Sequence, residues 1–261
     1  MKEVFKYTFS AIADIQKFLF VTIILSILNL IEPFPFIGIT AIGIEKLFLL
    51  SIGVFLIYIA KRSKNADEFY ENLKMNSFGS FMFHFIPVAA GILLGGILIL
   101  TFWTMFFVLI LQFTNSLYIL ANPHGIFISI AHAPVITQIL LGFYSIYFIF
   151  FSYIFLGKLG EALSKENFKD AFIAITTSLI DFRFWISTFN LKYFLIYIIW
   201  SLIIIILYST LSFTYIFIIF PAILNNPNLF LIIIPVLAAI TVILSYFTFF
   251  SAYFAYKTTG N

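Results

Sequence analysis

Long apolar runs separated by short polar interruptions organise this chain. Residues 36–60, 134–156, 192–219 and 229–256 each supply the roughly 20 apolar residues that a helix needs to cross a ~30 Å hydrocarbon core. Residues 77–113 are 37 positions with one His and no formal charge, too long for one straight span. Pro87 is the natural break, which predicts a short interfacial half over 77–86 and a span over 88–113. The first run, 18–31, has 14 residues and gives only about 21 Å of helix. It is read as a short, uncleaved first span. Lys17 before it imitates a signal peptide, but the run leads into Glu32-Pro33-Phe34-Pro35, a turn, and not into a small-residue cleavage site.

Two stretches carry a helical period without the length to span. In residues 2–16, Phe5, Phe9 and Ile12 fall at i, i+4 and i+7, with Lys2, Glu3 and Lys6 off the stripe. In residues 158–183, Phe168, Ala171, Phe172, Ile175 and Leu179 share one face, and Lys165, Glu166, Lys169 and Asp170 take the other. Each is expected as one amphipathic helix, in a membrane interface or against partner helices, with its aromatic stripe buried. The interruptions at 61–76 and 114–133 read as loops.

The two amphipathic stretches also align with each other. Glu3-Val-Phe-Lys-Tyr-Thr-Phe-Ser-Ala-Ile12 and Glu166-Asn-Phe-Lys-Asp-Ala-Phe-Ile-Ala-Ile175 agree at Glu, Phe, Lys, Phe, Ala and Ile without a gap. Glu71-Asn72-Leu73-Lys74 is a shorter echo. Each of the three precedes a pair of spans, a pattern of parallel internal repeats of helix plus hairpin. A chain this rich in Phe, Ile and Lys also makes such matches by chance.

Composition fixes the class. Of 261 residues, 63% are hydrophobic and 10% charged, against about 25% charged in soluble domains. The fold expected is all-α: a polytopic membrane protein of six transmembrane helices with amphipathic helices at the cytoplasmic face. Every Lys and Arg except Lys46 falls on the side that six spans assign to both termini, which the positive-inside bias makes cytoplasmic in a cell membrane. Spread along one face, a net charge of +3 gives no reason to invoke nucleic acid. With no Cys there is no disulfide and no thiolate chemistry. The 37 Phe and 14 Tyr suit lipid, and an AT-rich coding sequence would give the same excess.

Candidate chemistry is sparse. Glu45 and Lys46 lie inside the second span, close to its far interface. Neighbours at i and i+1 do not face each other, so they are expected not to pair, with Lys46 snorkelling outward. Glu45 is the one carboxylate placed in hydrocarbon, which makes it a functional candidate. Asn29, Gln112 and Gln138 are intramembrane polar residues that either line a path or bond neighbouring helices. Gly91 and Gly95, beside Ala89, Ala90 and Gly96, give the third span a small-residue face for close helix contact. His124 and His132 lack the spacing of a helical metal pair, and His84 reads as a solvated histidine. No phosphate-binding Gly-rich loop, HExxH helix or G-x-S-x-G elbow occurs, so no cofactor, metal or catalytic residue is assigned.

Residues 5–17, 67–79 and 157–172 together resemble an archaeal family of multi-span membrane proteins of unknown function. That family has a basic amphipathic start, a short first hairpin, a polar loop before the third span and a Gly-containing amphipathic segment before the last pair. Leu163-Ser164 stands where the family pattern has an aromatic and an acidic residue. The resemblance implies architecture and a prokaryotic membrane location, and transfers no residue role. The function expected is non-enzymatic: scaffolding, assembly or bilayer shaping, with the lipid bilayer and a homo-oligomeric or other membrane partner met through helices. The alternative is a permease or channel subunit for a small or apolar solute, with Glu45, Lys46, Gln112 and Gln138 as its polar residues.

Overall fold

The computed structural model describes residues 1–34, 37–121, 126–226 and 228–260. Among these the chain is helical throughout. The first half contains α1 (Lys2–Ala13), α2 (Ile15–Ile31), α3 (Ile37–Lys61), α4 (Ala66–Met75), α5 (Phe78–Phe113) and the short α6 (Ile126–Ala131). The second half contains α7 (Val135–Leu163), α8 (Phe168–Thr176), α9 (Phe182–Thr188), α10 (Leu191–Thr214), α11 (Phe220–Asn225) and α12 (Leu229–Lys257). A π-helical turn, Tyr215–Ile219, joins α10 to α11.

Five helical stretches among the described residues are long and apolar enough to cross a bilayer: α3, the body of α5, α7, α10 with its continuation, and α12. A sixth span is reached only if α1 and α2 are counted together as one bent pair. α2 has 17 residues, about 26 Å of helix, and α1 meets it at 81°. Asp14 makes that corner. Its carboxylate caps α2 by accepting from the Lys17 amide at 3.4 Å and takes the Lys17 ammonium at 2.6 Å. The molecule is thus a polytopic all-α membrane protein.

Several expected boundaries move. α5 does not break at Pro87 but continues as helix from Phe78 to Phe113. Proline removes one backbone donor, and neighbouring groups in a membrane bundle re-satisfy the freed backbone. At about 54 Å α5 is longer than the core, so it either projects beyond it or tilts. The interruption at 61–76 is largely helix. Asn65 accepts from the Glu68 amide at 2.9 Å while Glu68 accepts from the Lys64 amide at 2.8 Å, a reciprocal cap that starts α4. Phe69 and Leu73, one turn apart, bury its inner face. The segment 158–183 is not one helix: Gly157 to Leu163 prolongs α7, and the rest is α8, a 3-10 turn and α9.

The stripes are buried only in part: Ala171 and Ile175 are buried as expected, whereas the rings of Phe9 and Phe168 face outward, contrary to expectation. Phe9 is 66% and Phe168 40% exposed, and Phe172 is half-buried. The buried positions are Val4, Tyr7, Thr8 and Ala11 in α1, and Ala171, Ala174 and Ile175 in α8. Small residues let the backbones close up, while the rings stack on each other outside: Phe5 on Phe9 at 6.4 Å, Phe168 on Phe172 at 6.0 Å. In a bilayer an apolar ring on the outside carries no penalty, because lipid tails are as apolar as the bundle.

Helix contacts follow a cyclic order. The second helices of the three hairpins, α3, α7 and α12, all touch one another. The amphipathic helix of each unit packs on the second span of another: α1 on α12, α4 on α3, α8 on α7. α2 likewise lies on α12, and α5 on α3. Three parallel units would make part of this arrangement. The third unit departs from it: α10 does not pack closely on α7, α8 packs extensively on α5, and a wide cleft of ≈ 680 Å³ separates the start of α1 from α10.

The core is lopsided. Residues 51–57 of α3 and most of 244–255 of α12 are buried, joined by Tyr7, Phe69 and Phe250, whose rings meet at 5.0 to 5.7 Å. This is the end that carries the basic residues. Toward the other end the spans are largely uncovered, with a small separate cluster around Leu111, Ile119 and Leu141.

Candidate functional site

The polar segment between α7 and α10 builds the most elaborate polar constellation in the molecule. It does not lie flat. Cβ atoms at Gly91 and Gly95 would meet the backbone of Phe168 at 2.5 Å and the side chain of Ile175 at 3.0 Å, so α8 runs along α5 in the same direction. Further on, the Leu179 carbonyl accepts from the Tyr147 hydroxyl at 3.4 Å, and the Tyr147 ring packs on Trp103 at 5.1 Å. Successive turns of 168–179 therefore meet successive turns of α5 from Gly91 towards Trp103, about 18 Å of helix. The chain then turns at Asp181 and comes back across α7. The Trp185 indole donates to the Ser178 carbonyl at 2.9 Å, and the Tyr153 hydroxyl donates to the Thr188 carbonyl at 2.6 Å. The result is a helical hairpin laid against α5 and α7, held by packed small residues and internal caps. Asn167, Asp181 and Asn190 cap α8, α9 and α10 in turn.

Lys158 sits in the angle between α7 and this hairpin. Only 2% exposed, its ammonium lies 2.8 Å from Glu161 Oε2, 2.6 Å from Asp181 Oδ2 and 4.4 Å from the centre of the Phe184 ring. Glu161 Oε1 takes Lys165 at 3.1 Å, so two acids and two bases alternate in one neutral chain. Burial pushes the Asp181 carboxyl up. The hydrogen bond from Lys158 and the amides of Phe184 and Arg183 outweigh it and hold the group below the usual carboxylate range. An open cleft of ≈ 470 Å³ reaches the network, with Lys165, Asp170 and Thr177 on its walls. Two carboxylates and an aromatic face engage the ammonium of Lys158. The arrangement clamps the hairpin to α7 and offers ions or water a polar vestibule beside a buried cation.

The sequence candidates fall elsewhere. Glu45 is buried at 4% exposure. Lys46 does pair with it, at 2.8 Å, because its four-carbon stem is long enough to swing back over the adjacent residue. The Glu32 carboxyl hydrogen-bonds to Glu45 from the turn after α2. Burial first, then the Glu45 hydrogen bond and charge, push Glu32 up to about 7, against a smaller lowering by Lys46. Gln138 donates to the carbonyls of Ala131 and Ala133, both at 3.0 Å, and so closes the turn before α7. Gln112 is exposed on α5, and His132 is exposed as well. His124 lies outside the described residues. Each of these polar groups is thus engaged locally or faces outward, and Gln112 and Gln138 join neither Glu45 nor Lys158.

Lys158, Glu161 and Asp181 lie within the stretch expected as an interfacial amphipathic helix, and their spacing singles out none of them. The cap spacing Asn167-x-x-Asp170, with Asp181 and Asn190 at later helix starts, marks the segment as broken helices. The glycines flanking Lys158, Gly157 and Gly160, mark a close approach: Gly157 lies against Tyr193 and Gly160 against the Ala252 backbone.

Fold and site together define a polytopic α-helical membrane protein with a charge-clamped helical hairpin between α7 and α10. Set against family models, curated proteins and solved structures, the chain matches none.

Proposed function

We propose that this protein is non-enzymatic and works through helix contacts, as a scaffold or assembly partner within the membrane. The observation that supports this reading is α10. Residues 205–210 are exposed in succession, on every side of the helix. The hydroxyls of Tyr208, Ser209, Thr210 and Ser212 have no hydrogen-bond partner among the described residues. In hydrocarbon an unpaired hydroxyl is costly, and Ser, Thr and Tyr in spans bond across to neighbouring helices. The π-helical turn that follows is a geometry found often at functional positions. On this reading the basic end and both termini face the cytoplasm. The likeness to the archaeal family then extends to architecture alone.

The absence of Cys makes the test direct. Ser209→Cys, cross-linked in native membranes, is expected to give adducts with a second copy or another membrane protein, whereas Phe143→Cys on lipid-facing α7 gives none. Equal labelling of both by a lipid-phase reagent, with no protein adduct from either, would sink the proposal. The second reading, a permease or channel subunit, draws on the open cleft at Lys158. Solute flux in reconstituted vesicles that falls with Lys158→Met or Glu45→Ala would favour it over the first.

A further inference from the structure

At the basic end, the last turn of α3, the early part of α5 and the end of α7 enclose a small cleft of ≈ 160 Å³. Its inner wall is buried and apolar: Val54, Phe85 and Leu163. Its rim is exposed and polar: the cations Lys61 and Arg62 with His84, and Lys165 half-exposed beside them. Three separate elements therefore bring their basic groups to one opening.

The charges at that opening are unevenly matched. Lys165 is satisfied by Glu161 at 3.1 Å. Glu166 is the one acid among the lining residues. Lys61 donates to the Ser164 carbonyl at 3.0 Å, which ties the end of α3 to the end of α7 and holds the ammonium at the rim. Arg62 lies 3.9 Å over the Tyr58 ring, which fixes the guanidinium plane and leaves its edge donors for a ligand. Neither Lys61 nor Arg62 has a carboxylate within ion-pair distance among the described residues. The cleft is large enough to admit a phosphate group.

We propose that this cleft binds the phosphate group of an anionic membrane lipid, with Arg62 and Lys61 as its charged donors and His84 as a further hydrogen-bonding group. Arginine presents two parallel N–H groups to phosphate oxygens, and lysine adds a point charge. The apolar inner wall accepts the start of the lipid's glycerol and acyl region. Basic pockets between spans, at the leaflet where basic residues gather, are where anionic headgroups are held. The proposal requires only that the chain sits in a bilayer and is independent of the scaffold reading.

The test uses the full chain in neutral detergent, where no charged bilayer surface exists for a distant lysine to sense. A short-chain phosphatidylglycerol, a phosphatidylcholine of equal length and inorganic phosphate are titrated separately, with binding read by native mass spectrometry and by the shift in melting temperature. Phosphatidylglycerol is expected to bind in preference to the other two. Lys61→Gln and Arg62→Gln should each weaken it about five-fold, and Lys64→Gln, outside the cleft, should not. Arg62→Gln leaves the Lys61–Ser164 contact in place, so it decides the matter if Lys61→Gln folds poorly. Equal weakening by Lys64→Gln, or phosphatidylcholine binding as tightly, overturns the proposal. So does protection by inorganic phosphate without a preference for the lipid, which would make the cleft a site for soluble phosphate.

Discussion

Adding one methyl group at Gly160 tests whether α7 and α12 are locked backbone to backbone. A Cβ there would lie 2.0 Å from the Ala252 carbonyl oxygen, 2.4 Å from its carbon and 2.9 Å from the Tyr253 nitrogen. All three are main-chain atoms in a helix and cannot rotate aside. Carbon contacts relax only near 3.5 Å, so the two helices would have to part by more than about 1 Å along their shared face. Replacing Gly by Ala in a helix gains about 1 kcal/mol of propensity, and overpacking costs about 1–3 kcal/mol. A backbone clash of this depth belongs at or above the upper end, so the expected net loss is about 2 kcal/mol. Gly142→Ala is the matched control. It lies on the same helix, has nothing within 4 Å of its Cβ position, and carries the same propensity gain without the clash. Unfolding in neutral detergent, followed by the fluorescence of Trp103, Trp185 and Trp200, measures both. Gly142→Ala should match or exceed the parent and Gly160→Ala should fall below it. If the two variants unfold together, the close approach of α7 and α12 is wrong.

The Lys158 network predicts an asymmetry between its charges. Replacing both acids (Glu161→Gln with Asp181→Asn) strands a buried cation and should cost about 3–5 kcal/mol, whereas Lys158→Met, which leaves two partly hydrated carboxylates, should cost far less. Equal losses in unfolding experiments would mean that Lys158 is solvated. Glu32 predicts a pH dependence. Its proton is held more tightly in the folded chain, to about 7, than in the unfolded one, near 4.3. Its contribution to stability is therefore full below the unfolded value and is lost as pH rises through about 7. Glu32→Gln should remove that loss, so parent and variant converge in acid and the variant melts higher at alkaline pH. A variant whose melting temperature falls with pH as steeply as the parent's contradicts the Glu32–Glu45 contact.

The spans were legible because a bilayer asks one crude question, apolar length, and the answers at 36–60 and 229–256 agree with α3 and α12 to within a residue. Faces were harder. The stripe rule takes the largest apolar residues as the buried ones, a rule for water. In lipid size alone does not decide, so Ala171, Ala174 and Ile175 go inside where α8 meets the small face of α5, and Phe168 stays out. The Gly91 and Gly95 face carried that information, but its partner, α8, could not be read from spacing. The hairpin was missed for a related reason. Its polar residues look interfacial one by one, and only pairing across 23 positions, Lys158 with Asp181, neutralises the buried ammonium. Pairing of that range leaves no local signature beyond the caps. The Glu45–Lys46 pair failed on side-chain reach, because the rule about adjacent residues concerns Cβ directions and a lysine stem ignores it.

The uneven core divides the surroundings as well as the protein. At the basic end the helices are knitted together by α1, α4 and the hairpin, and side chains fill most of the space between the spans. Towards the other end α10 and the first half of α7 are largely exposed, with few side chains between them and their neighbours. Acyl chains from that leaflet therefore occupy the space that side chains fill at the opposite end. The free energy of this half is shared with the solvent tails, so acyl length and order on that side bear on its helix spacing, while the basic half keeps its geometry from internal contacts. One leaflet acts as the boundary of this protein, and the other is part of its packing.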